Sequence, residues 1–220
     1  MFSSRLDWGL APNPLSRLLE QKRRSGARIL DLTESNPTRT GFIYPRQIIE
    51  SFADHRALRY DPAPRGLASA RKTVAAYYAD CGRGFSPEQI LLTASTSEAY
   101  SYLFKLLADP GDEILTPRPS YPLFEFLAAL ESVQIRQYPL RYDGSWHIDF
   151  SSLGVTPRTR AIVVVNPNNP TGSFLKTEEW ERLESLGVPI VCDEVFADYA
   201  FEPAPVLANR GLVFFLNGLS

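Results

Sequence analysis

The sequence predicts an α/β fold: a mostly parallel β-sheet with helices on both faces. Three observations predict it. From residue 66 onward, short apolar runs alternate with stretches of helical spacing. The run from Arg160 to Val165 is apolar enough to be buried on both faces, as central parallel strands are. Polar loops that carry proline and glycine follow the apolar runs, and in such sheets ligands bind outside the carboxyl ends of the strands.

The elements follow in order. Pro14 to Arg24 reads as a short helix inside an otherwise extended, proline-rich arm that covers residues 1–45. Leu67, Ala70, Val74 and Tyr77/Tyr78 recur at helical spacing, and Gly82 stops that helix. Gln89 to Thr93 is expected to be a short strand. Ser95 and Glu98 form the S-x-x-E signature of a helix start, and Ala99, Tyr102, Leu103, Leu106 and Leu107 give the helix an apolar stripe that Pro110-Gly111 ends. Glu113 to Thr116 is expected as a strand, Pro122 to Leu130 as a helix and Val133 to Tyr138 as a strand. Arg160 to Val165 is a further strand, Thr177 to Leu186 a helix, and Pro189 to Asp193 and Leu212 to Leu216 the remaining strands.

Composition narrows the function. The chain has 220 residues, 44% hydrophobic and 22% charged, which suits a globular protein with its own core. A formal net charge of -2 argues against nucleic-acid binding, where a basic excess is usual. Runs such as Ala161–Val165 and Leu212–Leu216 fall far short of the roughly 20 apolar residues that span a bilayer, and the N-terminus has no apolar signal core. Two cysteines, Cys81 and Cys192, are too few for a disulfide framework and read as reduced, cytoplasmic thiols. No metal-ligand spacing stands out.

Three polar features sit where a parallel sheet would gather them. Ser95, Thr96 and Ser97 open a helix directly after a strand, where free N–H groups and the helix dipole attract a phosphate; an ordinary helix cap has the same sequence. Asn166-Pro167-Asn168-Asn169-Pro170-Thr171-Gly172 fixes a rigid turn that aims an amide, expected to be that of Asn169, at the sheet edge. Asp193 ends a buried strand, where a carboxylate is costly unless it is paired. A cationic ring nitrogen is one such partner, and a structural arginine or a helix cap is another.

Together these strings resemble the class I and II aminotransferases, pyridoxal 5'-phosphate (PLP) enzymes of the aspartate-aminotransferase fold. The strongest carriers are Asn166 to Gly172 and Asp193-Glu194-Val195. Weaker ones are Tyr60 with Gly66, Pro119-Ser120-Tyr121-Pro122, and Asn217-Gly218-Leu219-Ser220. The resemblance implies the N-terminal portion of such an enzyme. Residues 1–45 would form the arm and part of the small domain, and 46–220 a PLP-binding large domain incomplete at its C-terminus. Its Schiff-base lysine is expected directly after Ser220, so the 220 residues alone would be inactive.

The resemblance assigns roles. Ser95, Thr96 and Ser97 would hold the cofactor phosphate, although the family usually has glycine at the position of Ser95. Tyr121 would stack on the ring, with an ordinary core aromatic as the alternative. Asn169 would donate to the ring's phenolic oxygen, and Asp193 would keep the ring nitrogen protonated. Tyr60 would reach a partner subunit's phosphate in a homodimer, or would be a buried interface tyrosine. The implied reaction transfers an amino group between an amino acid and a 2-oxo acid. Other PLP reactions such as β-elimination, or a non-catalytic remnant of the fold, use the same scaffold. Phe196 stands where many members have a tyrosine that donates to the phenolic oxygen. In a longer protein that carries the lysine, Phe196→Tyr is therefore expected to lower the pH midpoint of the cofactor's absorption change by roughly one unit; a midpoint that stays put contradicts this reading.

Overall fold

The architecture is that of a computed structural model, which describes all residues except 1, 7, 10, 34, 35, 202–206, 208, 209, 219 and 220. Of the string Asn217-Gly218-Leu219-Ser220, the last two residues therefore lie outside the described set. The helices are α1 (Pro14–Arg24), α2 (Gln47–Glu50), α3 (Ala68–Asp80), α4 (Thr96–Leu107), α5 (Phe124–Leu130) and α6 (Thr177–Ser185). The strands are β1 (Glu113–Arg118), β2 (Gln134–Tyr142), β3 (Trp146–Ile148), β4 (Thr159–Val165), β5 (Ile190–Asp193) and β6 (Val213–Leu216). These elements fall into two compact units, one made of Met1–Asp7 with Thr93–Ser220 and the other of Trp8–Leu92.

The larger unit is built on a sheet of order β3-β2-β1-β4-β5-β6. All neighbours run parallel except the β2–β3 pair. Side chains alternate across a strand, and β1, β4 and β5 each feed two cores. Ala161, Val163 and Val165 of β4 and Val191 of β5 pack with Leu103 and Phe104 of α4 and Phe124 and Ala128 of α5. Ile162 and Val164 of β4 and Ile190 and Cys192 of β5 pack on the opposite face with Trp180 and Leu183 of α6. Helices thus cover both faces, as the double-sided burial of Arg160 to Val165 predicts.

The order also fixes where a ligand can bind. From β1 the chain moves outward to β2 and β3, then returns to the other side of β1 to lay down β4, β5 and β6. The connections reverse between β1 and β4, and a crevice opens outside the carboxyl ends of strands at such a reversal. The loops there are 119–123 after β1 and 166–172 after β4.

Two features differ from the sequence reading. Gln89 to Thr93 is not a strand. Ser86 and Pro87 open a tight turn over Pro87–Gln89, in which Ser86 Oγ accepts the Glu88 N–H (3.2 Å) and Gln89 Oε1 accepts the Ser86 N–H (2.9 Å). Leu92 N–H then goes to the loop carbonyl of Arg65 (3.0 Å), and the residues beyond the turn join no ladder among the described residues. Apolar composition alone cannot supply the missing strand partner. Conversely, β3 pairs antiparallel with β2 across the Asp143-Gly144 turn, where Gly144 takes φ +108°. The Asp-Gly dipeptide is the signal for that hairpin.

In the smaller unit Gly66 takes φ +87°, and a Cβ there would meet Leu92 Cδ1 at 2.6 Å, so glycine is required on both counts. Arg71, buried on α3, donates to the Gly66 carbonyl (3.2 Å) and steadies that turn.

The carboxylate of Glu179 pins the β3 hairpin to α6. One oxygen accepts the buried Ile148 N–H (2.6 Å) and the other accepts the Lys176 N–H at the helix start (2.9 Å). Glu179→Ala strands the Ile148 donor away from water. It should lower unfolding stability by about 2 kcal/mol, read from urea melts of the parent and variant.

Candidate active site

Asp193 is the last residue of β5 and is 7% exposed. Its backbone carbonyl accepts the Asn166 N–H (2.7 Å), which ties the loop after β4 to the end of β5. Its carboxylate accepts two hydrogen bonds, from Val195 N–H at Oδ1 (3.0 Å) and from the Tyr100 hydroxyl at Oδ2 (2.7 Å). Both donors are neutral. Desolvation pushes the Asp193 carboxyl pKa above the usual carboxylate range, and the two hydrogen bonds only partly offset it. The site therefore holds a carboxylate that lacks a cation among the described residues.

The first turn of α4 lies beside it. Ser95 caps the helix, its Oγ accepting the Glu98 N–H (3.2 Å). The Glu98 carboxylate reaches one residue further back than the expected box, to the Ala94 N–H (2.6 Å). The N–H groups of Thr96 and Ser97 meet no acceptor among the described residues, so the positive end of the dipole points outward unsatisfied. One turn later on this helix Tyr100 bonds Asp193, which places the helix start and the carboxylate in one neighbourhood.

Tyr121 follows β1 and is half-buried. Its ring meets Phe124 edge-on (5.6 Å), and Phe124 in turn meets Tyr100 (5.3 Å). A continuous aromatic contact thus links Tyr121 to the partner of Asp193, and the half-buried ring packs against the edge of the core cluster.

The loop 166–172 divides its asparagines between two tasks. Asn166 Oδ1 accepts the Leu175 N–H (2.9 Å). Asn168 turns inward: its amide donates to the Pro119 carbonyl (3.1 Å) and Thr171 Oγ1 (2.9 Å), and its Oδ1 accepts from Ser120 Oγ (3.0 Å). Gly172, at φ +70°, closes the turn with its N–H on the Asn168 carbonyl (2.7 Å). Asn169 is half-buried, and its amide makes no hydrogen bond among the described residues, so it remains available to a ligand.

Of the residues expected from sequence, the larger unit brings Ser95, Thr96, Ser97, Tyr121, Asn169 and Asp193 to the same edge of the sheet. Tyr60 belongs to the smaller unit and is 89% exposed. The reading from sequence gives no site role to Tyr100, Ser120 or Asn168. The expected stripe of the helix counts Tyr102 and Leu106, which are exposed, and passes over Tyr100, which is buried; two adjacent asparagines in a rigid turn invite one inward and one outward assignment. Lys105 is engaged by Glu131 (2.6 Å), and Lys176 by Ser145 (3.0 Å).

The sequence profile described as "Aminotransferase class I and II" matches residues 28–220. The chain belongs to the class I and II aminotransferases. Nicotianamine aminotransferase 1 of Oryza sativa subsp. japonica is 36% identical over 151 residues, which cover 66% of this chain and 31% of that protein. Glutamate-pyruvate aminotransferase AlaA of Haemophilus influenzae is 30% identical and covers 94% of this chain and 54% of its own length. Among solved structures, alanine aminotransferase from Pyrococcus furiosus superimposes with a TM-score of 0.84 at 26% identity, over 100% of this chain and 59% of its own. The chain thus spans between about a third and somewhat over half of the relatives it matches.

The cost of burying Asp193 yields a pH prediction. A carboxyl whose folded pKa is raised binds more protons folded than unfolded, so stability falls as pH rises from the unfolded value of 3.8 through the folded one. In cofactor-free protein, Asp193→Asn removes that penalty. The variant should melt at least as high as the parent at pH 8, and its advantage should shrink as pH falls toward 4. A variant that melts well below the parent at pH 8 contradicts the desolvation argument.

Proposed function

We propose that the protein containing this chain transfers an amino group between an amino acid and a 2-oxo acid, with PLP as cofactor. The observation that carries the reading is the Asp193 carboxylate, buried at the strand ends with neutral donors only. Such a group is suited to a cation that arrives with a ligand. The rest of the donor set fits the same group. The outward N–H groups of Thr96 and Ser97, with nearby hydroxyls, suit a phosphate. The half-buried ring of Tyr121 suits a stacked aromatic face, and the unengaged amide of Asn169 suits a phenolic oxygen.

When bound, PLP supplies a conjugated ring able to accept electron density from the substrate Cα. The chain's own residues bind and orient it. The α4 start would hold its phosphate, Tyr121 would cover a ring face, Asn169 would donate to the phenolic oxygen, and Asp193 would hold a proton on the ring nitrogen. The lysine that moves the substrate proton in this family has no counterpart among residues 1–220 in the matching context. Lys105 and Lys176 are engaged elsewhere. Phe196, 40% exposed, offers no hydroxyl to the phenolic oxygen.

The same proposal includes a cytoplasmic homodimer. Tyr60 would reach the partner subunit's phosphate, a role compatible with its exposure. The smaller unit also exposes Ile43, Phe52 and Leu58, apolar surface that a second copy would cover. Glutamate and alanine are the amino donors to try first, since relatives are named for glutamate–pyruvate and alanine transfer.

The full-length protein, loaded with PLP and given amino-15N glutamate and pyruvate, should release 15N-alanine. Asp193→Ala should cut the rate by at least about a hundredfold. Conversion of amino acids with release of ammonia, and without transfer to any 2-oxo acid, would replace transamination with an elimination reaction.

A further inference from the structure

We infer that Tyr100 is a positioning residue that fixes the orientation and charge of the Asp193 carboxylate, and that α4 thereby couples the phosphate end of the site to its ring-nitrogen end. The inference rests on the proposed function for its meaning, but its geometry stands on this chain alone.

Tyr100 is 1% exposed and packs against Phe104 (5.8 Å) and Phe124 (5.3 Å), so its ring has little freedom to turn. Its hydroxyl donates to Asp193 Oδ2 at 2.7 Å, within the range of a charge-assisted O–H···O⁻ bond. No other donor reaches Oδ2 among the described residues, while Oδ1 is served by the Val195 N–H. The two bonds, from different elements, hold the carboxylate plane in one orientation. Burial and the adjacent Asp193 charge push the phenol well above its ordinary range, so it stays a neutral donor at any working pH.

Removing the hydroxyl has a specific consequence. Oδ2 would be left buried with no protein donor, and desolvation would then act on Asp193 with less opposition. Asp193 would take up a proton at higher pH, and a neutral carboxyl cannot pair with a cationic ring. The other titratable groups around the pair are Cys192 on β5, Tyr121 after β1, and the buried Glu194 next in the chain. The neighbouring strands β4 and β6 end here in Val165 and Leu216, which carry no charge. Tyr100 also lies one turn beyond Thr96 on the same helix, so a shift of α4 that re-aims the outward N–H groups also moves the donor on Asp193.

The test is Tyr100→Phe in the full-length protein, which keeps the ring packing. Tyr138→Phe is the control. Tyr138 is equally buried, and its hydroxyl donates to the Val163 carbonyl (2.9 Å), so it reports the loss of a buried tyrosine hydroxyl away from Asp193. Two quantities are read: the infrared titration of the Asp193 carboxyl in cofactor-free protein, assigned by its absence in Asp193→Asn, and the dissociation constant for PLP. Tyr100→Phe should move the carboxyl midpoint upward by roughly one pH unit and weaken PLP binding by about tenfold or more. Tyr138→Phe should move neither. A carboxyl midpoint that is unchanged in Tyr100→Phe, or that moves equally in Tyr138→Phe, overturns the inference. If the parent protein takes up no PLP, the proposed function falls, and the infrared titration still decides whether Tyr100 controls Asp193.

Discussion

A carboxylate at the end of a buried parallel strand must be matched by something, and the arrangement around Asp193 is organised by that requirement. Its backbone carbonyl holds the loop after β4 through Asn166, and its side chain holds α4 through Tyr100. The loop after β1 joins through Tyr121, Phe124 and Tyr100, and also through Ser120 on Asn168. Two loops and a helix that are distant in sequence thus meet at the Asp193 end of β5. The net charge on the carboxylate is left for a ligand to balance.

That imbalance costs stability and prepares the site for binding. Neutral hydrogen bonds orient the carboxylate without neutralising it, so a cationic partner gains the full charge-assisted interaction on arrival. A structural arginine in the same place would already balance the carboxylate and leave no charge for a cationic ligand to pair with. The two cores flanking β4 and β5 make this tolerable: they bury both faces of the central strands and hold the site on rigid elements.

Much of this is legible in the sequence, for local reasons. Ser95 with Glu98 marks the start of α4, and the apolar run to Val165 marks a central strand. The asparagine-proline turn and Asp193 mark the strand ends. What stays hidden depends on tertiary partners. Gln89 to Thr93 has strand composition but no ladder. Tyr100 lies outside the apolar stripe read from sequence, and only the fold brings Asp193 against it, 93 positions along the chain. Asn168 and Asn169 are indistinguishable as letters, and the Pro119 carbonyl and Ser120 decide which one turns inward.

Nitrogen NMR decides whether Asp193 pairs with a protonated ring nitrogen. With PLP labelled by 15N at the pyridine position and bound to the full-length protein, the chemical shift at pH 8 should be that of a protonated ring nitrogen and should be lost in Asp193→Asn. A neutral ring-nitrogen shift in the parent protein at that pH would contradict it.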